Sequence, residues 1–226
     1  MWEAAKVLLI ILPVVLAGII HSAAIRSNWL PALSKPLDFG LCLGGRPLFG
    51  ANKTFRGQLL MIAGSAATAW ALGLALNAPG NSLQALLPRG FEFMMNPGRA
   101  AGLGAVMGLG YALGELPNSF IKRRLDIAPG GNPGGLAGTI CYVADQADSV
   151  LGVTLLLALL YAPPAEVLLA LLAAGSAVHI VFDQCLYLTG VKHRADGVAH
   201  AKQAAPAPGS ASSLPAIQPA EARLRR

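Results

Sequence analysis

Charge is scarce in this chain. Of 226 residues only 12% are Asp, Glu, Lys or Arg, where a soluble domain carries about a quarter, so the composition points to lipid rather than water. Aromatic residues are also few, at 6%. Ala, Gly and Leu dominate instead, as they do in membrane helices that pack through small side chains. Cysteine is limited to Cys42, Cys141 and Cys185, an odd number at wide spacing. That pattern argues against a disulfide framework or a zinc site and for reduced, inert thiols. There is no G-x-x-x-x-G-K-[ST] loop and no Rossmann strand context. A net charge of +6 does not call for nucleic acid, because much of it lies where the cytoplasmic face of a membrane protein collects Lys and Arg.

What the chain does have is long apolar runs. A spanning helix needs about 20 mostly apolar residues, and five candidates emerge: 7–25, 57–76, 100–116, 147–162 and 165–188, the fourth reaching full length only with the "DQADS" turn counted in. The fold class expected is therefore all-α, a polytopic integral membrane protein of about five transmembrane helices, with cytoplasmic loops forming the active site. The segment 26–56 is rich in Lys and Arg, the next loop has only Arg89 and Arg99, the third has Lys122, Arg123 and Arg124, and the fourth has none. This alternation predicts the N-terminus outside and the C-terminus and active site in the cytoplasm. The first span could be read as a cleaved signal peptide, but Glu3 cancels Lys6 and leaves no net positive n-region, so it is kept as a span. Residues 1–192 form the transmembrane domain. The Pro, Ala and Ser of 193–226 lack periodicity and predict a disordered cytoplasmic tail.

Polar residues gather on one face. In "GELPNSFIKRRLDIAPGG" (114–131) Glu115, Asn118, Ser119 and Lys122 fall at i, i+3, i+4 and i+7, one side of a helix, with Arg123 on the neighbouring row. Pro117 predicts a bend or restart there. In "VADQADSV" (143–150) Asp145 and Asp148 are read as the first turn of the fourth span, where one aspartate would serve as a cap. Two aspartates without an adjacent cation suggest Mg²⁺, which takes one or two carboxylates, keeps several waters and bridges phosphates. Glu115 could add a third ligand. Lys53, Thr54 and Arg56 in "RPLFGANKTFRG" (46–57), with Asn52, could hold a polyphosphate, or could simply be positive-inside residues. His179 and Asp183, at i and i+4 in the last span, are either a functional intramembrane pair or a structural one. Gly104/Gly108 and Gly110/Gly114 are small-xxx-small pairs that predict close helix packing.

Together, "GELPNSFIKRRL" and "DQADSVLG" resemble the signature of membrane CTP-dependent cytidylyltransferases, with its acidic residue, S-x-x-K-R and D-x-x-D. Short length, five spans, "FGANKTFRG" and "HIVFDQCLYLTGVK" narrow the resemblance to the CDP-archaeol synthase family, across most of residues 35–192. The pattern departs at Glu115, where an aspartate is expected, at Ala147, and at Asp183, where an amide is expected. The resemblance implies transfer of CMP from CTP to a membrane lipid phosphate, giving a CDP-lipid and pyrophosphate. The lipid would be an archaeal-type digeranylgeranylglyceryl phosphate or a related phosphatidic acid. It also implies Asp145, Asp148 and Lys122 as catalytic residues, and Mg²⁺ on Asp145, Asp148 and Glu115. Substrate would be held by Asn52, Lys53, Thr54, Arg56, Ser119, Lys122 and Arg123. A homo-oligomer stays open. Two rivals are weighed: a CDP-alcohol phosphotransferase, whose D-G-x-x-A-R motif is missing, and a small transporter without CTP turnover, which would want polarity spread over several spans.

Overall fold

The computed structural model describes residues 2–131 and 133–188; the tail expected at 193–226 lies outside the described residues. Five long helices alternate in direction: α1 (Trp2–Arg26), α2 (Phe55–Asn77), α3 (Pro97–Arg124), α4 (Gly135–Tyr161) and α5 (Ala165–Leu188). Four of them, all but α3, are long and apolar enough to cross a membrane. The less apolar α3 is the inner helix of the set, packed most extensively against α2 and α4, so it needs fewer lipid-facing side chains.

The spans read from the sequence recur with small boundary shifts in α1, α2 and α5, whereas α3 contains 100–116 but runs eight residues further, to Arg124, and is not among the four helices apolar enough to cross. The fourth requires correction: α4 starts at Gly135, not at 147. Asp145 and Asp148 therefore lie well inside a continuous helix and cap nothing. The reason is an apolar stripe that runs straight through "DQADS". Leu136, Ile140, Val143, Leu151, Leu155 and Leu159 all face outward at helical spacing, while Gln146 and Ser149 are buried on the opposite side. Likewise α3 does not restart at Pro117 but runs through it unbroken.

Small residues set the spacing between helices, as the glycine pairs predicted. A Cβ on Gly108 would sit 2.7 Å from Ile62 Cα of α2, and one on Gly104 would stand 2.6 Å from Ala69 Cβ. On the other side of α3, a Cβ on Gly110 would lie 2.7 Å from Val153 Cα. A Cβ on Gly152 would come equally close, 2.7 Å, to Gly114 Cα. α3 thus touches α2 and α4 backbone to backbone. α1 closes the bundle with Val7, Ile10, Ile11 and Ala17 buried.

The two ends of the bundle differ. At one end 3₁₀ turns at Ser82–Leu86 and Glu92–Met95 tuck Phe91 and Met94 into the core. At the other end the segment between α1 and α2 carries a short antiparallel hairpin, β1 (Cys42–Leu43) and β2 (Arg46–Pro47), which the all-α expectation did not include. Arg124, at the end of α3, donates to the carbonyls of Leu43 and Arg46 at 2.6 and 2.9 Å and lies over the Phe120 ring. Arg46 returns an ion pair to Asp126. The hairpin is thereby fastened to the charged end of α3.

The glycine seam makes a direct prediction. Gly152→Val should destabilise the protein by about 1–3 kcal/mol through overpacking. Gly102→Ala, at a position where an added Cβ meets nothing within 4 Å, should leave stability unchanged or slightly raised. Thermal unfolding of both variants in the same detergent is the check.

Candidate active site

Close approach of α3 and α4 brings their polar faces into register. Asn118 Nδ2 donates to Asp145 Oδ1 and to Asp148 Oδ2, both at 2.7 Å. One nitrogen thus joins both carboxylates. Lys122 Nζ donates to both oxygens of Asp145 at 2.6 Å. Asp148 Oδ1 accepts from the Ser149 amide at 2.6 Å and from its hydroxyl at 3.0 Å. Glu115, one turn deeper, pairs with Lys53 from the α1–α2 segment. The Lys122 side chain is 10% exposed and that of Asp145 39%, so the pair opens on its carboxylate side and is closed on its cationic side.

The α1–α2 segment presents its residues through Asp38. This buried carboxylate accepts from the amides of Gly40 at 3.0 Å, Phe49 at 2.9 Å and Gly50 at 3.1 Å. Burial alone would raise its pKa, but the three N–H groups outweigh that and hold it below the ordinary carboxylate range. Gly50 has φ +97° and lies against Arg123, whose Cδ and Nε would be 3.5 Å from an added Cβ. Only glycine suits that conformation and that gap. Beneath it Arg123 is buried, with Nε and Nη1 lacking a hydrogen-bond partner among the described residues.

Of the residues expected in the site, Glu115, Lys122, Asp145, Asp148 and Lys53 come together, while Arg123 is buried against Gly50 of the loop. Ser119 is buried on the same face. Thr54 instead caps α2, accepting from the Gly57 amide at 3.2 Å. Arg56 turns to Asn28 Oδ1 at 3.3 Å and the Trp29 carbonyl at 3.0 Å. Asn52 is exposed in the loop. His179 bonds Gln146 and Tyr111 at 2.8 and 3.3 Å. Sequence reasoning missed Asp38, His21, Tyr111 and Gln146. His21 lies beside Gly57, in the field of Glu115, Lys53 and Arg56, and Tyr111 bonds His179 in the field of Glu115 and Asp148. For His21 and Tyr111 the available signal was a polar residue on an otherwise apolar span; nothing local marked Asp38.

Residues 5–195 match a family model described as CarS-like, CDP-archaeol synthase. The chain belongs to the CDP-archaeol synthase family. Proteins named CDP-archaeol synthase are similar over most of their length. That of Thermofilum pendens is 31% identical over 83% of this chain and 79% of its own. That of Methanopyrus kandleri is 30% identical over 84% and 92%. That of Halobacterium salinarum is 32% identical over 70% and 81%. No solved structure matches. As a CDP-archaeol synthase family member the chain is an integral membrane enzyme, a cytidylyltransferase, and the transporter reading falls away.

Within that family frame the carboxylates admit a test for a metal. Among the described residues no three His, Cys, Asp or Glu side chains gather to hold an ion. Glu115 is engaged by Lys53, so the three-carboxylate set expected from the sequence does not assemble. What does assemble is two aspartates converging on one point, now filled by the Asn118 amide. Two carboxylates with an amide alongside suit a hard cation that draws its remaining ligands from water and phosphate.

The Asp38 anchor is testable by pH. Its depressed pKa means that its stabilisation is complete above the ordinary carboxylate range and is lost as pH falls through its lower folded value. Asp38→Ala should cost about 1–3 kcal/mol at pH 7. The gap to the wild type should narrow steadily below about pH 4, as read from detergent unfolding across pH.

Proposed function

We propose that this enzyme transfers CMP from CTP to the phosphate of a two-chain membrane lipid, with an isoprenoid ether glycerol phosphate as the preferred substrate and phosphatidic acid as the comparator. The observation that carries the reading is the convergence of Asp145 and Asp148 on one nitrogen, with Lys122 on Asp145 and Lys53 on the neighbouring Glu115. The archaeal relatives and their shared name support the ether lipid.

In this reading Asp145 and Asp148 would hold Mg²⁺ in place of the Asn118 nitrogen that joins them. A magnesium ion bound there supplies charge neutralisation on the triphosphate. The lipid phosphate is already an anion at neutral pH, so no side chain need act as the nucleophile. One of its oxygens bonds to the α-phosphorus of CTP, the bond from that phosphorus to the bridging oxygen breaks, and pyrophosphate leaves with the electron pair. Arg123, whose buried nitrogens lack a partner among the described residues, receives phosphate oxygens on the leaving side. Lys122 holds the Asp145 carboxylate in orientation through both its oxygens, and Lys53 swings between Glu115 and phosphate. Positioning and charge, rather than covalent catalysis, carry the rate.

Depth fits the task. α3 and α4 are 28 and 27 residues long, so each spans ~40 Å at 1.5 Å per residue, against ~30 Å of hydrocarbon. Asp145 lies ten residues into α4, ~15 Å along it, yet it is bonded to Lys122 in the last turn of α3, the charged end where soluble CTP would meet an anchored phosphate. Arg26, Lys35, Arg46, Lys122, Arg123 and Arg124 collect at this end, which supports a cytoplasmic site with the N-terminus outside.

The test is pyrophosphate release by purified protein given CTP, Mg²⁺ and a panel of ether- and ester-linked lipid phosphates. Release should require a lipid phosphate and be fastest with the isoprenoid ether. Asp148→Asn and Asp145→Asn should each reduce turnover by roughly a hundredfold or more with unchanged thermal unfolding. No release with any lipid, or near-normal turnover in Asp148→Asn, would overturn the reading.

A further inference from the structure

One turn below the carboxylates is a cavity of about 80 Å³ between α1, α3, α4 and α5. Its walls include Gly18, Tyr111, Val150, Thr154, His179 and Phe182. Three of these residues are polar, yet their protons are committed elsewhere. The Gln146 amide oxygen can only accept, so His179 Nδ1 carries the proton between them. Nε2 is then the acceptor for the Tyr111 hydroxyl. Thr154 donates to the Val150 carbonyl at 2.8 Å. The polar groups thus satisfy one another, and the surface left to a guest is hydrocarbon-like. Such a cavity stays dry and takes apolar guests.

Its position says which guest. Tyr111 precedes Glu115 by four residues, and Val150 follows Asp148 by two. The cavity therefore begins ~3–6 Å from the carboxylates, towards the bilayer interior. A lipid whose phosphate rests at Asp145 and Asp148 must lead its glycerol and first chain carbons past this opening. We propose that the cavity seats the glycerol-proximal segment of one hydrocarbon chain of the substrate lipid. About 80 Å³ holds only two or three water-sized groups, so it grips a short branched segment while the rest of the chain stays in the bilayer. This makes the cavity a specificity element for chain branching, and gives the intramembrane His179 a role: it ties α5 to α3 and α4 as one wall of the pocket.

The proposal rests on the transferase reading, and its test separates the two. An added Cβ on Gly18 has ordinary room, meeting only Phe182 Cε1 at 4.0 Å, so Gly18→Leu fills the cavity without clashing at the backbone. It should raise KM for a methyl-branched lipid phosphate about tenfold or more, leave KM for CTP unchanged, and shift preference towards straight chains; Gly18→Ala should fall between. In the wild type, a dialkyl glycerol phosphate carrying a diazirine within the first few chain carbons should label peptides containing Gly18 or Phe182. Unchanged lipid KM and chain preference in a folded Gly18→Leu protein would overturn the proposal, as would labelling confined to other peptides. If the wild type transfers no CMP, the transferase reading fails, while the labelling still decides what occupies the cavity.

Discussion

Backbone contact between α3 and α4 is the constraint on which the rest of the structure depends. Gly110, Gly114 and Gly152 let the two helices meet with no side chain between them. Association inside lipid gains little from hydrophobic burial and relies on such close packing. At this spacing one amide, Asn118, spans both aspartates, and Lys122 reaches across to Asp145. Moving the helices apart by the width of a methyl group would turn a connected cluster into separate charges at membrane depth.

Those charges are tolerable because the cluster is nearly self-compensating. Lys122 stands against Asp145 and Lys53 against Glu115, which limits the desolvation cost of each. Asp148 has only the neutral Asn118 and Ser149 as partners, and Arg123 is buried with two nitrogens lacking a partner among the described residues. A buried unsatisfied group of that kind calls for a partner, and under the proposed function a phosphate oxygen supplies it. The segment held by Asp38 and Arg124 covers this arginine with Gly50, so the loop and the end of α3 close over it together.

Much of this was legible in the sequence for a plain reason: helical periodicity is local. The i, i+3, i+4, i+7 face from Glu115 to Lys122 and the glycine pairs follow from spacing alone, and both recur in the structure. Misreading Asp145 and Asp148 as a helix start came from giving polarity more weight than period. The stripe from Leu136 to Leu159 was available and carries the helix through them. Non-local pairings were not legible. Nothing near Asp38 announces that its partners are amides eleven and twelve residues on. Nothing in "NKTFRG" separates a Lys53 that pairs with Glu115 from a capping Thr54 and an Arg56 that ties down the preceding loop.

The central claim is that Asp145 and Asp148 together form a divalent-cation site that receives the nucleotide. Mn²⁺ substitution followed by electron paramagnetic resonance addresses it without relying on turnover. The account predicts one tightly held Mn²⁺ per chain in the presence of CTP, with phosphorus coupling from the triphosphate, and loss of that signal in Asp145→Asn and Asp148→Asn. A protein-bound Mn²⁺–CTP signal that survives both substitutions intact would contradict it.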